Sequence, residues 1–166
     1  ITTITPSYII APAYTVQRAS NMENLSISQS IDLSTKSGKP QIRLLGYTLP
    51  SSSVRPGETV ELTLFWKSIA KMDNNWSVFI HLQDPNDIIV AQRDTYPGIG
   101  LMPTSLMTPD MTIEDSYVIP ISNTVSAPTN LRLTVGLYNF QTGERLYQLG
   151  GKDRVYIDTI KLEAQP

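Results

Sequence analysis

The sequence predicts an all-β chain: an antiparallel β-sandwich of immunoglobulin-like or jelly-roll type with about eight strands. Three observations lead there. Apolar residues recur with a period of two in several short segments, the pattern of a strand buried on one face. Twelve prolines and nine glycines are scattered along 166 residues, so they punctuate many short elements instead of marking one linker. No segment carries a helical apolar stripe of ten or more residues.

Residues 1–38 lack periodicity and are rich in Ser, Thr and Asn. They read as an extended lead-in or tether that can contribute an edge strand, through the weak alternation of Leu25, Ile27, Ile31 and Leu33. TKSGKP is a turn. The sandwich proper is expected over 39–166. QIRLLGYTLP is its first full strand, closed by Pro50. SSSVRPGE is a loop turning at Pro56-Gly57. TVELTLFWK is the cleanest strand, with Val60, Leu62, Leu64 and Trp66 inward and Phe65 as the exception. KMDNN is a loop. WSVFIHLQ follows with Val78, Ile80 and Leu82 inward. DPND is a hairpin turn and IIVAQRD the returning strand. Residues 95–111 hold Pro97, Pro103 and Pro109, which rule out a helix or a central strand there. TIEDSYVIPI resumes the sheet with Tyr117, Ile119 and Ile121 on one face. LRLTVGLYN places Leu131, Leu133, Val135 and Leu137 inward, and Gly136 on the opposite face, where a small residue permits close approach. Gln141-Thr142-Gly143 is a tight turn with Gly free to take a positive φ. RLYQL returns, GGKD turns, and RVYIDTIKLE is the final strand.

Composition narrows the function. Net charge is −2 with no run of Lys or Arg, which argues against nucleic acid as a partner. Cysteine is absent, so disulfides and thiolate metal sites are excluded. No stretch reaches the 18 or so apolar residues of a membrane span. The start, ITTITPSYIIAPAYTV, has neither the basic region nor the apolar run of a signal peptide, and no initiator Met. The chain is therefore expected to be a piece of something longer.

Catalytic sets are thin. His81 is the one histidine, on the face opposite Val78, Ile80 and Leu82, with no G-x-S-x-G elbow to supply a nucleophile. Asp84, Asn86 and Asp87 offer oxygens, but DPND is ordinary turn chemistry and lacks the remaining ligands calcium needs. Glu114 and Asp115 are neighbours on a strand, point to opposite faces, and so cannot flank one glycosidic bond. No cofactor, metal or catalytic residue is assigned. Asp115, facing inward, is expected to pair with Arg93, Arg132 or Arg145. Arg145 is expected to pair with an acid, Asp94 or Asp115 being the candidates, or to cap carbonyls at the sheet edge. Trp66 is expected in the core and Trp76, after DNN, at the surface. Trp76, Tyr96, Tyr138 and Phe140 are the candidate ligand-binding aromatics, since sugar-binding sandwiches offer exposed rings beside polar groups. Asn24 and Asn75 head N-x-S sequons.

Several segments taken in order resemble a known family: IRLLGYTL, VRPGETVELTLFWKS, WSVFIHLQD, VAQRDTYPG, MPTSL, EDSYVIPI, LRLTVGLYN and TGERL. The set, over about residues 40–162, is similar to the soluble C-terminal β-sandwich of bacterial membrane glycosyltransferases that resemble dolichyl-phosphate-mannose-protein mannosyltransferases. The resemblance implies a non-catalytic accessory domain on the extracytoplasmic face of a bacterial membrane. Sugar transfer from a lipid-linked donor would be done by a membrane part outside this chain. It implies a glycan, or that membrane part, as partner. One departure follows PTSL, where the family pattern leads to Trp and this chain has Met107, so looser filling of that loop is expected. Two rival readings are an independent carbohydrate-binding module and a structural or adhesive module with protein partners.

Overall fold

The structure is a computed structural model that describes residues 30–98 and 100–166. Among the described residues nine strands form two facing sheets. In chain order they are β1 (Ile31–Ser34), β2 (Pro40–Thr48), β3 (Ser53–Val54), β4 (Thr59–Ser68), β5 (Trp76–Gln83), β6 (Ile89–Thr95), β7 (Thr112–Pro120), β8 (Thr129–Asn139) and β9 (Val155–Leu162). The first sheet has the order β1-β2-β4-β7 and the second β3-β9-β8-β5-β6. All pairings are antiparallel except β3 with β9. The chain alternates between sheets so that β5 and β8 become central neighbours. The result is a two-sheet β-sandwich, the architecture the sequence predicts.

The alternation in the sequence becomes the core. Val60, Leu62, Leu64 and Trp66 on β4 face Val78, Ile80 and Leu82 on β5 and Leu131, Leu133, Val135 and Leu137 on β8, all buried. With no disulfide to close the sheets, this apolar interior carries the fold, as burial of such side chains does generally. Phe65 is buried as well but lies outside the main core cluster, on the other face of β4, in register with Gly46 and Glu114.

Two local results were not expected. The loop after Pro50 contains β3, a two-residue strand that covers the free edge of β9. RLYQL is not a full strand. Arg145 bridges to Tyr138 and Tyr147 bridges to Ser34, so the segment ties the second sheet to the edge strand of the first. Gly143 closes the tight turn before it at φ 76°, as the turn chemistry requires.

The 95–111 loop is irregular apart from one turn of 3-10 helix at Thr104–Leu106. Met107, which stands where the family pattern leads to Trp, is fully buried. A flexible thioether adapts to irregular space. Leu25, Ile27 and the rest of the lead-in before Ser30, with the Asn24 sequon, lie outside the described residues; Ile31–Ser34 is an edge strand. Among the described residues no helix is long and apolar enough to cross a membrane.

Candidate functional site

The outer face of the second sheet gathers most of the polar chemistry. Register places Ser77 opposite Tyr138, Phe79 opposite Gly136, and His81 opposite Thr134 along β5 and β8. On the other side of β5, β6 sets Asp94 opposite Phe79 and Gln92 opposite His81. Gly136 has no side chain, so the Phe79 ring lies across it. Arg145 covers that ring, with its guanidinium carbon 4.7 Å from the centroid, a cation–π arrangement. The guanidinium also donates to Asp153 at 3.0 Å, and Arg154 donates to the same carboxylate at 2.9 Å. The Tyr138 hydroxyl donates to Asp94 at 3.2 Å. His81 lies 4.8 Å from Phe79, centroid to centroid, and its Nδ1 has no hydrogen-bond partner among the described residues. This outer layer explains why β5 is buried along both faces although its sequence also suits a half-exposed strand.

Electrostatics follow from burial and from the two arginines. Burial pushes the His81 pKa below its ordinary value; the Asp94 charge opposes this, while Arg154 and Arg145 add to it. Burial raises the Tyr138 hydroxyl, and the nearby Asp94 charge raises it further. The hydrogen bond from Arg154 holds Asp153 below the usual carboxylate range. The sign of each contribution to stability is fixed by linkage. A histidine whose folded pKa is depressed is fully stabilising above its unfolded value near 6.5, and loses stability as pH falls below that value. Asp153 contributes above its unfolded value near 3.8 and loses only in stronger acid. Thermal unfolding between pH 7.5 and 5 is therefore expected to show a falling midpoint. His81→Gln is expected to flatten that slope while leaving the drop below pH 4 in place. An unchanged slope in the variant rejects the assignment. The ceiling for one group is about 1.4 kcal/mol per pH unit.

The structure places the sequence candidates unequally. Trp76 is not at the surface: it is fully buried, because it shares the inward parity of Val78 and Ile80 at the start of β5. Phe140 is 75% exposed beside the hairpin tip. Tyr96 is half-buried after β6, and Tyr138 is half-buried within the outer cluster. Asp94 and Arg93 are exposed on β6, and only Asp94 shares the face of Phe79. Arg145 pairs with Asp153 and Arg132 with Asp87, so the expected pairings of Arg145 with Asp94 or Asp115 are corrected. Asp153 reaches Arg145 because the loop before β9 folds back over the sheet. Asp115 is fully buried and accepts the Gly98 N–H at 2.9 Å and the Tyr117 hydroxyl. It anchors the 95–111 loop to β7. In the DPND turn, Asp84 accepts the backbone N–H groups of Asn86 and Ile88.

Phe79, Thr134 and Asp153 were absent from the sequence candidates. Phe79 was legible in part, as a large apolar residue on the polar parity of its strand. Among the described residues no three His, Asp or Glu side chains converge as metal ligands. As it stands the cluster can hold its own loops and present rings and guanidinium groups. Arg145→Ala is expected to cost about 1 kcal/mol, the sum of one partly exposed cation–π contact and one ion pair well screened by solvent. Urea unfolding measures it, and a variant as stable as the parent removes the role. No protein-family model matches the chain, and no curated protein matches it.

Proposed function

We propose that this sandwich is a non-catalytic, extracytoplasmic accessory domain of a bacterial membrane-bound glycosyltransferase, and that a membrane part outside this chain transfers sugar from a lipid-linked donor. The observation that carries the reading is the mapping of the resembling segments onto the fold. VRPGETVELTLFWKS runs from Val54 of β3 through β4, WSVFIHLQD covers β5 and the next residue, VAQRDTYPG covers most of β6 and the start of the loop after it, EDSYVIPI runs from within β7 to the residue after it and LRLTVGLYN lies in β8. They occupy consecutive elements of one sandwich, so their order and spacing are those of a folded unit. Its role is to position a glycan or a partner, or to brace the membrane part. The carbohydrate-module reading draws on one feature, the exposed Phe140 ring beside the half-buried Tyr138.

The full-length reading frame tests the first reading. Several apolar segments of about 18 residues or more upstream of Ile1 are expected. Protease added outside intact spheroplasts is expected to remove the sandwich. A signal peptide followed by a hydrolase domain, or protection of the sandwich from external protease, overturns the proposal.

A further inference from the structure

A second polar feature lies beside the outer cluster, between β8, β9 and the loop that leads into β9. There the surface dips into a cavity of about 600 Å³. Thr134 lines it, and Gln83, Arg132, Lys152, Arg154 and Tyr156 stand around it. Three cations meet one acid, Asp87, which is bonded to Arg132. The chain as a whole carries −2, so this is a local reversal of sign. Arg154 is held by Asp153 at 2.9 Å, which fixes its guanidinium in place. Lys152 is exposed and makes no ion pair among the described residues.

One buried polar group that lines this cavity, and a second beside it in the sheet, have unused hydrogen-bonding capacity among the described residues. Thr134 is 6% exposed and its hydroxyl has no partner among the described residues. His81, directly across the β5–β8 ladder and 8% exposed, has an Nδ1 without a partner among the described residues. Buried polar groups are almost always satisfied, so an unpaired one lining a cavity calls for an explanation. Tyr156 adds a face. The residue is 55% exposed, and its hydroxyl bonds to that of Thr159 at 2.6 Å, which favours one orientation of the ring. Amides, a hydroxyl and an aromatic face suit the hydroxyls and C–H face of a sugar ring. Guanidinium and ammonium groups suit an anion, and arginine bonds carboxylate or phosphate through its planar fork.

We infer that this cavity binds an acidic saccharide, a sugar bearing a carboxylate or a phosphate group. The anion sits between Arg132, Lys152 and Arg154, and the sugar ring lies on Tyr156. The inference concerns this chain alone and stands whether or not a membrane part precedes it. Carboxylate and phosphate share the recognition chemistry, so both are tested.

The chain is titrated by calorimetry in 50 mM salt with four probes: a galacturonic acid trisaccharide, its neutral methyl ester, glucose 1-phosphate and inorganic phosphate. At least one of the two acidic sugars is expected to bind ten-fold or more tighter than both the ester and inorganic phosphate, and which one does so identifies the anion. Lys152→Glu and Tyr156→Ala alter exposed side chains, and unchanged melting curves show that both variants fold. Each is expected to weaken the preferred sugar, Lys152→Glu by ten-fold or more and Tyr156→Ala by five-fold or more. Neither acidic sugar binding ten-fold tighter than both the ester and inorganic phosphate, no binding by any probe, or full affinity for the preferred sugar in the Lys152→Glu protein overturns the inference.

Discussion

Trp76→Ala is expected to lower the unfolding free energy by about 3–5 kcal/mol, the usual cost of deleting a fully buried Trp and leaving its cavity. The position is intolerant for a reason that can be read from its neighbours. Trp76 opens β5, pairs with Asn139 on β8, and belongs to the core cluster with Val78 and Ile80. Its backbone N–H donates to Thr104 Oγ1 at 2.8 Å, and that hydroxyl donates to the Asn74 carbonyl at 2.7 Å. Those bonds survive truncation of the side chain, so the two loops they join are already fixed and cannot collapse far into the space. The indole Nε1 makes no hydrogen bond among the described residues, so its removal strands no polar partner there. Trp76→Phe is therefore expected to recover most of the loss, because only volume and not hydrogen bonding separates the two. Urea unfolding followed by the fluorescence of the remaining Trp66 measures both variants. A loss under about 1 kcal/mol for Trp76→Ala contradicts the buried placement. The result also bears on how glycan binding is tested. A Trp76→Ala protein that fails to bind would be reporting a weakened fold, whereas Tyr156 and Phe140 are exposed and can be altered without that confusion.

What the sequence revealed and what it hid divide along physical lines. Strands β4 and β8 were legible because one face of each meets the core and the other is mostly polar, which leaves a period of two. Trp76 was equally legible by parity, since it is two residues before Val78; the neighbouring DNN, a polar loop, outweighed the alternation. The Asp115 parity pointed inward correctly, but its partners come from the Gly98 backbone and from Tyr117, and a backbone N–H leaves no mark in a sequence pattern. The Arg145–Asp153 pair was hidden for a related reason. Both residues sit in irregular segments around the 148–153 turn, where no periodicity fixes which side chains meet. The cavity beside Tyr156 draws on β5, β8, β9 and the loop between the last two, so it exists only once the sheet order is known.

Gly136→Ala is expected to cost about 2–3 kcal/mol, and the sign depends on two opposed effects. Alanine by itself should help, because glycine inside a strand costs roughly 0.5–1 kcal/mol in chain entropy and Gly136 has no positive φ that an alanine would strain. Packing reverses this. A Cβ at Gly136 would stand 2.4 and 2.6 Å from two ring carbons of Phe79 and 3.0 Å from the Asp153 carbonyl oxygen. The ring has nowhere to go. It is 1% exposed, Arg145 covers it, and His81 and Tyr138 flank it at 4.8 and 6.1 Å between centroids. Moving it breaks the cation–π contact and disturbs the only histidine in the chain. The clash should thus exceed the entropic gain. A double-mutant cycle isolates it. Phe79→Ala alone opens a cavity and is itself costly, but in that background Gly136→Ala adds a methyl group to empty space, and its cost should fall to zero or become a gain. The coupling energy between the two sites is then at least about 2 kcal/mol, within the range of residues in direct contact. Additive losses, or a Gly136→Ala protein as stable as the parent, would show that the ring does not rest on the glycine and that the outer layer over β5 and β8 is not built as described.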